Sequence, residues 1–584
     1  MKVPFSLLAF LMFSTLSAES AELKIKVSKQ YLNFPVSQQE DRRSMRLSVD
    51  GHEQCRFVIR LTAGTPDYWV FQDVNEYKGK TLVLSFDGSD DALQKVYQDD
   101  TYPGENDIYR EAYRPQYHFT TRRGWINDPN GLVYDRTRNE YHLFYQHNPF
   151  EREWENMHWG HAVSKDLLHW QELPDALHPD TIGTIFSGSA WMDYDNAAGF
   201  NIPARKDKHG RILSPERVAM IVYYTADHPR YQRQCMAYSV DGGRTFTKYQ
   251  GNPVIDSHER WQSHDTRDPK IFKFSPATAD GNGHYVLVLN ERDGHTIYNS
   301  TDLKTWTPVS HIEGFWECPE LFETPQGPWV LWGASGTYML GQFDGMTFTP
   351  TTPKLMNLNG SAYAAQCFNQ LPSSSTPHPS PIKMAWGRIS FPDMPFNGCM
   401  LLPQTQEIRE TAQGPRLYSY PIPETGQLFT RVLDRQDLSQ REANELLKQF
   451  DGNDVLRIKA TLHLTYATDV SLRYRGQKLF DYDMNGNRLQ GEFYSPAPNA
   501  QGPSPIMDIT LDLYVDRAIV EGYVDGGAFS YSFQRDVKRN DPEGYAFHGN
   551  QLEIRRLGVF ELSLSPLRPF IVPTLPSSSP PLQK

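Results

Sequence analysis

Ser164-Lys165-Asp166-Leu167-Leu168-His169-Trp170 returns along the chain as Ser239-Val240-Asp241-Gly242-Gly243-Arg244-Thr245-Phe246. It returns again as Ser300-Thr301-Asp302-Leu303-Lys304-Thr305-Trp306, and in worn form as Gln342-Phe343-Asp344-Gly345-Met346-Thr347-Phe348. The shared form is a strand, a polar turn carrying Asp, then an aromatic residue. The starts lie 75, 61 and 42 residues apart. Repeats on this scale in an all-β pattern predict propeller blades of four strands each. Apolar runs such as Tyr141-His142-Leu143-Phe144-Tyr145, Ala219-Met220-Ile221-Val222-Tyr223 and Tyr285-Val286-Leu287-Val288-Leu289 supply the strands. The first strand of a blade lines the central channel, so residues far apart in sequence converge on one axial pocket.

Outward from the repeat, the pattern changes. Residues 22–113 alternate with period two: Met45, Leu47, Val49, then Phe57, Ile59, Leu61, then Leu82, Leu84, Phe86. This predicts a small N-terminal β domain. Residues 114–423 hold the repeat. Residues 424–572 open with a short amphipathic helix over 442–450. Strands follow in which Leu456, Ile458, Ala460, Leu462 and Leu464, and later Ile509, Leu511, Leu513 and Val515, share a face, so a C-terminal β-sandwich is expected. The expected fold class is therefore all-β. Residues 573–584 are rich in Pro and Ser and are expected to be disordered. At the other end, Lys2, the apolar run from Phe5 to Leu16 and the small residues near Ser17-Ala18 or Ser20-Ala21 read as a signal peptide over 1–21. A secreted or periplasmic protein without a membrane span is expected.

With 584 residues, several domains are needed. The net charge of -12 argues against a nucleic-acid surface. Five widely spaced cysteines, Cys55, Cys235, Cys318, Cys367 and Cys399, form neither a disulfide framework nor a zinc pattern. His158 and His161 stand in an H-x-x-H spacing, but no third ligand is evident and a structural role is expected. No metal or other cofactor is called for.

Three acids carry the chemistry. Asp128 lies in Trp125-Ile126-Asn127-Asp128-Pro129-Asn130-Gly131, Asp268 in Arg267-Asp268-Pro269, and Glu317 in Trp316-Glu317-Cys318-Pro319-Glu320. Taken singly, each has a plain reading: a capped turn, a surface pair, a solvated edge. Placed near the start of three different blades, they read as paired carboxylates in unlike surroundings, as glycoside cleavage requires. Glu320 competes with Glu317 for the role of acid.

These three stretches, in this order, closely resemble the signatures of glycoside hydrolase family 32, which holds invertases, inulinases and levanases. Tyr145-Gln146-His147-Asn148-Pro149, the run from Trp154 to His161, Phe186-Ser187-Gly188-Ser189, and Val515-Asp516-Arg517-Ala518-Ile519-Val520-Glu521 agree with it. The resemblance implies a five-bladed propeller followed by a β-sandwich. The segment before Arg114 resembles the extra N-terminal domain of some levanase-like members. Two departures stand out. Ser361-Ala362-Tyr363-Ala364 replaces an Asp-aromatic-Tyr-Ala run at the fifth blade, so one polar sugar contact is lost or comes from elsewhere. Gly387-Arg388 follows Trp386.

The resemblance further implies a β-fructofuranosyl substrate. Asp128 would be the nucleophile, helped by Asn127. Glu317 would be the acid and then the base, its proton affinity raised by the dry flanks Trp316, Cys318 and Pro319. Asp268 would hold ring hydroxyls as positive charge grows, with Arg267 beside it. Gln146, Trp154, Phe186, Ser187 and Trp386 would wall the pocket. Levan or inulin is the leading substrate and sucrose the nearest alternative. A non-catalytic fructan-binding protein and a fructosyl transferase are the readings from other classes.

Overall fold

The four repeated turns join the third and fourth strands of four successive antiparallel sheets. In the computed structural model, which describes residues 20–275, 283–372, 380–465, 469–493 and 506–563, these sheets are the first four blades of a five-bladed propeller. The expected tail and all but the last two residues of the expected signal segment lie outside the described residues.

The turn chemistry is local and repeats faithfully. Ser164 Oγ accepts the Leu167 N–H at 2.9 Å, and Asp166 Oδ1 accepts those of Leu168 and His169 at 3.0 and 2.8 Å. Ser300 accepts from Leu303 at 2.9 Å, and Asp302 from Lys304 and Thr305 at 2.9 and 2.7 Å. A short polar side chain that satisfies two backbone donors fixes the reversal and hands the following aromatic residue to the blade core. Trp170 and Phe348 are accordingly buried.

The first blade runs Gly124–Asp135, Glu140–Asn148, His158–Ser164 and Trp170–Leu177. The second runs Thr184–Met192, Met220–His228, Tyr231–Ser239 and Thr247–Lys248. The third is Thr266–Phe274, His284–Glu291, Gly294–Ser300 and Thr307–Glu313. The fourth is Glu320–Glu323, Trp329–Trp332, Thr337–Phe343 and Phe348–Pro350. The fifth is Ala362–Cys367, Ile382–Gly387, Gln404–Thr411 and Gly414–Pro421. In every blade the first strand is innermost, and side chains cross the axis between blades. Ser189 Oγ donates to Pro269 O at 2.7 Å, Gln366 Nε2 to Gly188 O at 3.0 Å, and Asn369 Nδ2 to both Ala190 O and Ile271 O. Deep on the axis Lys270 meets Glu320 at 3.0 Å and donates to Cys367 O at 2.7 Å, and both charged residues are buried. The ring closes where Phe396–Asn397, reached through the fifth blade, pairs in parallel with Gly124–Trp125.

The sandwich packs a seven-stranded sheet on a five-stranded one. Leu456, Ile458, Leu462, Ile509, Leu511, Leu513 and Val515 lie in its core, as the alternation requires. Its helix, Gln440–Leu447, starts with a capping box from Ser439 and Glu442 and buries Ala443 and Leu447. Leu358–Gly360, from the link between the fourth and fifth blades, adds a parallel edge strand to the larger sheet. A second tie is polar. His118 lies buried between Asp516 and Glu521, at 2.8 and 2.7 Å. Burial opposes its protonation, but the hydrogen bonds and charges of the two carboxylates win and hold the imidazole up at about 9.

One compact unit ends at Pro103, and the second begins at Gly104 and holds both propeller and sandwich. The N-terminal unit contains a four-stranded and a three-stranded sheet, with Met45, Leu47, Val49, Phe57, Ile59, Leu61, Leu82, Leu84 and Phe86 buried. Among the described residues no helix is long and apolar enough to cross a membrane.

Candidate active site

Four of the five inner strands break register near the mouth of the channel. The slips fall between Ile126 and Pro129, Phe186 and Gly188, Arg267 and Lys270, and Tyr363 and Gln366. An extra residue in a strand bends it and re-aims a side chain. The residues released by the first three slips include Asn127 and Asp128, Ser187, and Asp268. The backbone at two of the acids is left-handed: φ is 68° at Asp268 and 51° at Glu317, and Cys318 follows at 42°. Non-glycine residues pay for such φ values, so surrounding bonds must hold them.

Asp128 and Asp268 meet at one sulfur atom, that of Cys318, the residue next to Glu317. Cys318 Sγ lies 3.6 Å from Asp128 Oδ2 and 3.6 Å from Asp268 Oδ2, and the Cys318 N–H donates to the same Asp268 oxygen at 3.0 Å. The Glu317 charge acts on both aspartates, and the Asp128 charge acts on Asp268. Asp128 accepts from Ser187 Oγ at 2.7 Å and from Asn127 Nδ2 at 3.1 Å. Burial raises its proton affinity and the Glu317 charge adds to this, while the Ser187, Asn127 and Cys318 donors oppose it. Asp268, 6% exposed, is pushed up to about 7, first by burial and then by the Asp128 and Glu317 charges, against the pull of Arg267. Burial also lifts the Cys318 thiol well above its ordinary range, so it stays a neutral wall.

Glu317 has both oxygens engaged. Arg267 donates to Oε1 at 2.8 Å and Tyr363 to Oε2 at 2.7 Å. Arg267 is held in turn by Asp265 at 2.7 Å and Gln232 at 3.2 Å, beneath the Trp316 ring. Trp316 is 41% exposed, so it covers the guanidinium from the solvent side.

The expected wall residues fall into three groups. Asn127, Ser187 and Arg267 touch the carboxylates directly. Trp154, half exposed, stands edge-on to Phe186 at 5.9 Å, and Trp386 meets Trp125 and Tyr363 at 5.6 and 6.3 Å, so these rings rim the site. Gln146 lies behind it, 2% exposed, accepting from Asn130 and donating to Ile185 O. Glu320 is on the axis with Lys270, away from the three acids' contacts. His158 faces Phe150 and His178, whereas His161 stacks on Phe144 and bonds His142, so the two do not form a ligand pair.

Tyr363, Thr225 and Asn290 each bond one of the acids, Tyr363 and Asn290 at Glu317 and Thr225 at Asp268, and motif reading does not single them out. Tyr363 is visible only as the retained residue in an altered run. Thr225 and Asn290 are the polar residues that end apolar strand runs.

A basic clamp, an uncharged thiol wall and three coupled carboxylates in a recess can hold a neutral polyhydroxylated ring and move one proton. The comparisons agree. Residues 118–421 match the model of the glycosyl hydrolases family 32 N-terminal domain. The levanase of Bacillus subtilis is 33% identical over 500 residues, 76% of this chain and 68% of that protein. An invertase of Debaryomyces hansenii is 37% identical over 283 residues, 49% of its length, and the extracellular exo-inulinase of Aspergillus niger is 29% identical over 90% of its length. The exo-inulinase structure from Aspergillus awamori superposes with a TM-score of 0.61 at 24% identity, covering 78% of this chain and 99% of that one. The chain is thus a glycoside hydrolase and belongs to glycoside hydrolase family 32.

Proposed function

We propose that this protein is a retaining β-fructofuranosidase that releases terminal fructosyl units from a fructan, levan or inulin. The observation that carries the reading is the convergence of Asp128, Asp268 and Glu317 about Cys318. Asp128 attacks the anomeric carbon, while Glu317 delivers its proton to the glycosidic oxygen and the leaving sugar departs. The fructosyl-aspartate ester is then opened by water, whose proton returns to Glu317. Net, one glycosidic bond and one water become two hydroxyls. Ser187 and Asn127 hold the attacking carboxylate. Asp268 accepts from ring hydroxyls, bonds that tighten as the ring gains positive charge.

Substrate choice is supported by the names of the relatives, which include levanases, exo-inulinases and an invertase. The extra N-terminal unit favours a polymer over sucrose. The expected leader and the relative named extracellular favour export.

The test is incubation with levan, inulin and sucrose separately, following products over time. Free fructose from a polymer is expected. In aqueous methanol the trapped product is the methyl β-fructofuranoside; the α-anomer would refute retention. Asp128→Asn lowers kcat by about 10³-fold or more. A near-normal rate would remove Asp128 as nucleophile.

A further inference from the structure

Two of the three acids sit on left-handed backbone, and in both cases the acid's own N–H is caught by a side chain of a second strand. Asp268 N–H donates to Thr225 Oγ1 at 2.9 Å, and Glu317 N–H donates to Asn290 Oδ1 at 2.9 Å. Thr225 belongs to the second strand of the second blade and Asp268 to the third blade; Asn290 belongs to the second strand of the third blade and Glu317 leads into the fourth. The two anchors occupy equivalent places. Thr225 pairs with Phe186 and Gln234, and Asn290 pairs with Arg267 and His295. Each blade therefore reaches forward to fix the acid of the next.

Both anchors are fully buried, and Thr225 is held from behind. Thr225 Oγ1 donates to Gln234 Oε1 at 2.7 Å, and Gln234 Nε2 donates to Thr266 O at 2.6 Å. His295, buried and stacked on Phe315, stands beside Asn290, and burial keeps its imidazole neutral. The Glu317 backbone is tied on its other side by the Ala334 N–H, which reaches both Trp316 O and Glu317 O at 3.0 Å. A left-handed residue of this kind stays put only when its bonds over-determine it.

We propose that Asn290 is a positioning residue for the acid Glu317, and Thr225 its counterpart for Asp268. The assignment rests on the reading of Glu317 as the proton donor. Asn290 touches no substrate; it sets where the proton is delivered. A misplaced acid harms cleavage in proportion to the leaving group's need for protonation. A sugar alkoxide needs it; 4-nitrophenolate hardly does.

The experiment uses the full chain with a fructan, sucrose and 4-nitrophenyl β-fructofuranoside. Asn290→Leu is expected to lower kcat/KM on sucrose and fructan about tenfold and to leave kcat/KM on the aryl fructoside, which reports the leaving-group step alone, within about twofold. Equal losses on all substrates, or no loss on any, overturn the role of Asn290. Thr225→Val keeps shape but loses the acceptor and should lower kcat about tenfold on every substrate, because Asp268 serves the ring and not the leaving group; Thr225→Ser should restore it. This second pair decides the matter if Asn290→Leu does not fold: equal rates for the Val and Ser variants overturn the proposal. Wild-type protein that cleaves none of the three substrates refutes the functional reading itself.

Discussion

The Tyr363 hydroxyl donates to Glu317 Oε2 at 2.7 Å, so the inner strand of the fifth blade holds a carboxylate that enters the fourth. Arg267, from the third blade, takes the other oxygen. Two blades thus fix a side chain that leads into a third. Tyr363→Phe removes one bond to a group whose charge changes during the reaction. Such bonds contribute about 1.5–3 kcal/mol, so kcat on a fructan should fall about 10- to 100-fold with KM nearly constant. Steady-state kinetics checks this, and an unaltered kcat would show that Arg267 alone suffices.

Asp268 gives the site a pH-dependent cost. Its carboxyl rises from 3.8 to about 7 on folding, so the native state binds the extra proton between those values. Stability from this group therefore falls as pH rises from 4 to 7, by about 4 kcal/mol in all at 1.4 kcal/mol per unit. Asp268→Asn should unfold at a higher temperature than wild type at pH 8, with the gain shrinking toward pH 4, while kcat collapses. Melting curves across that range check the sign.

His118 also loses stability as pH rises, but over a higher range. Its folded value of about 9 exceeds the ordinary 6.5, so its contribution is complete below pH 6.5 and is lost as pH climbs through 9. The loss amounts to about 3 kcal/mol. His118→Gln should be less stable than wild type at pH 6 and should close most of that gap by pH 10. A constant gap across pH would show that shape, not charge, joins the residue to Asp516 and Glu521.

Lys270 and Glu320 separate structure from chemistry. Removing the cation alone, Lys270→Met, strands a buried carboxylate and should cost about 3–5 kcal/mol. Glu320→Gln keeps a polar group against Lys270 and should retain kcat within about threefold. A large loss of kcat in a well-folded Glu320→Gln protein would move the role of acid from Glu317 to Glu320.

Four blades were legible because their outer turns are written locally: a Ser or Asp side chain binds backbone two to four residues on, and an aromatic residue follows. The fifth blade escapes that rule. Its last hairpin turns within two residues between Thr411 and Gly414, with Thr411 Oγ1 donating to Gly414 O, and needs no Ser-x-Asp. The acids were legible as motifs. Their anchors were not, because Thr225 and Asn290 act across blades and show in sequence only as polar ends of the runs that close at Tyr224 and Leu289. Gln146 shows the converse: it belongs to a signature run, yet it braces the floor from behind.

The parallel pairing of Phe396–Asn397 with Gly124–Trp125 makes closure of the ring wait on a late stretch of the chain. Gly124, at φ 82° with no room for a Cβ against Asn148 O, accepts only glycine at that seam. A nascent chain holding every acid, with Glu317 already synthesised, still lacks the segment that fastens the seam about eighty residues later. Until that piece leaves the ribosome, the Gly124–Trp125 edge of the first blade has no partner strand of its own chain to pair with.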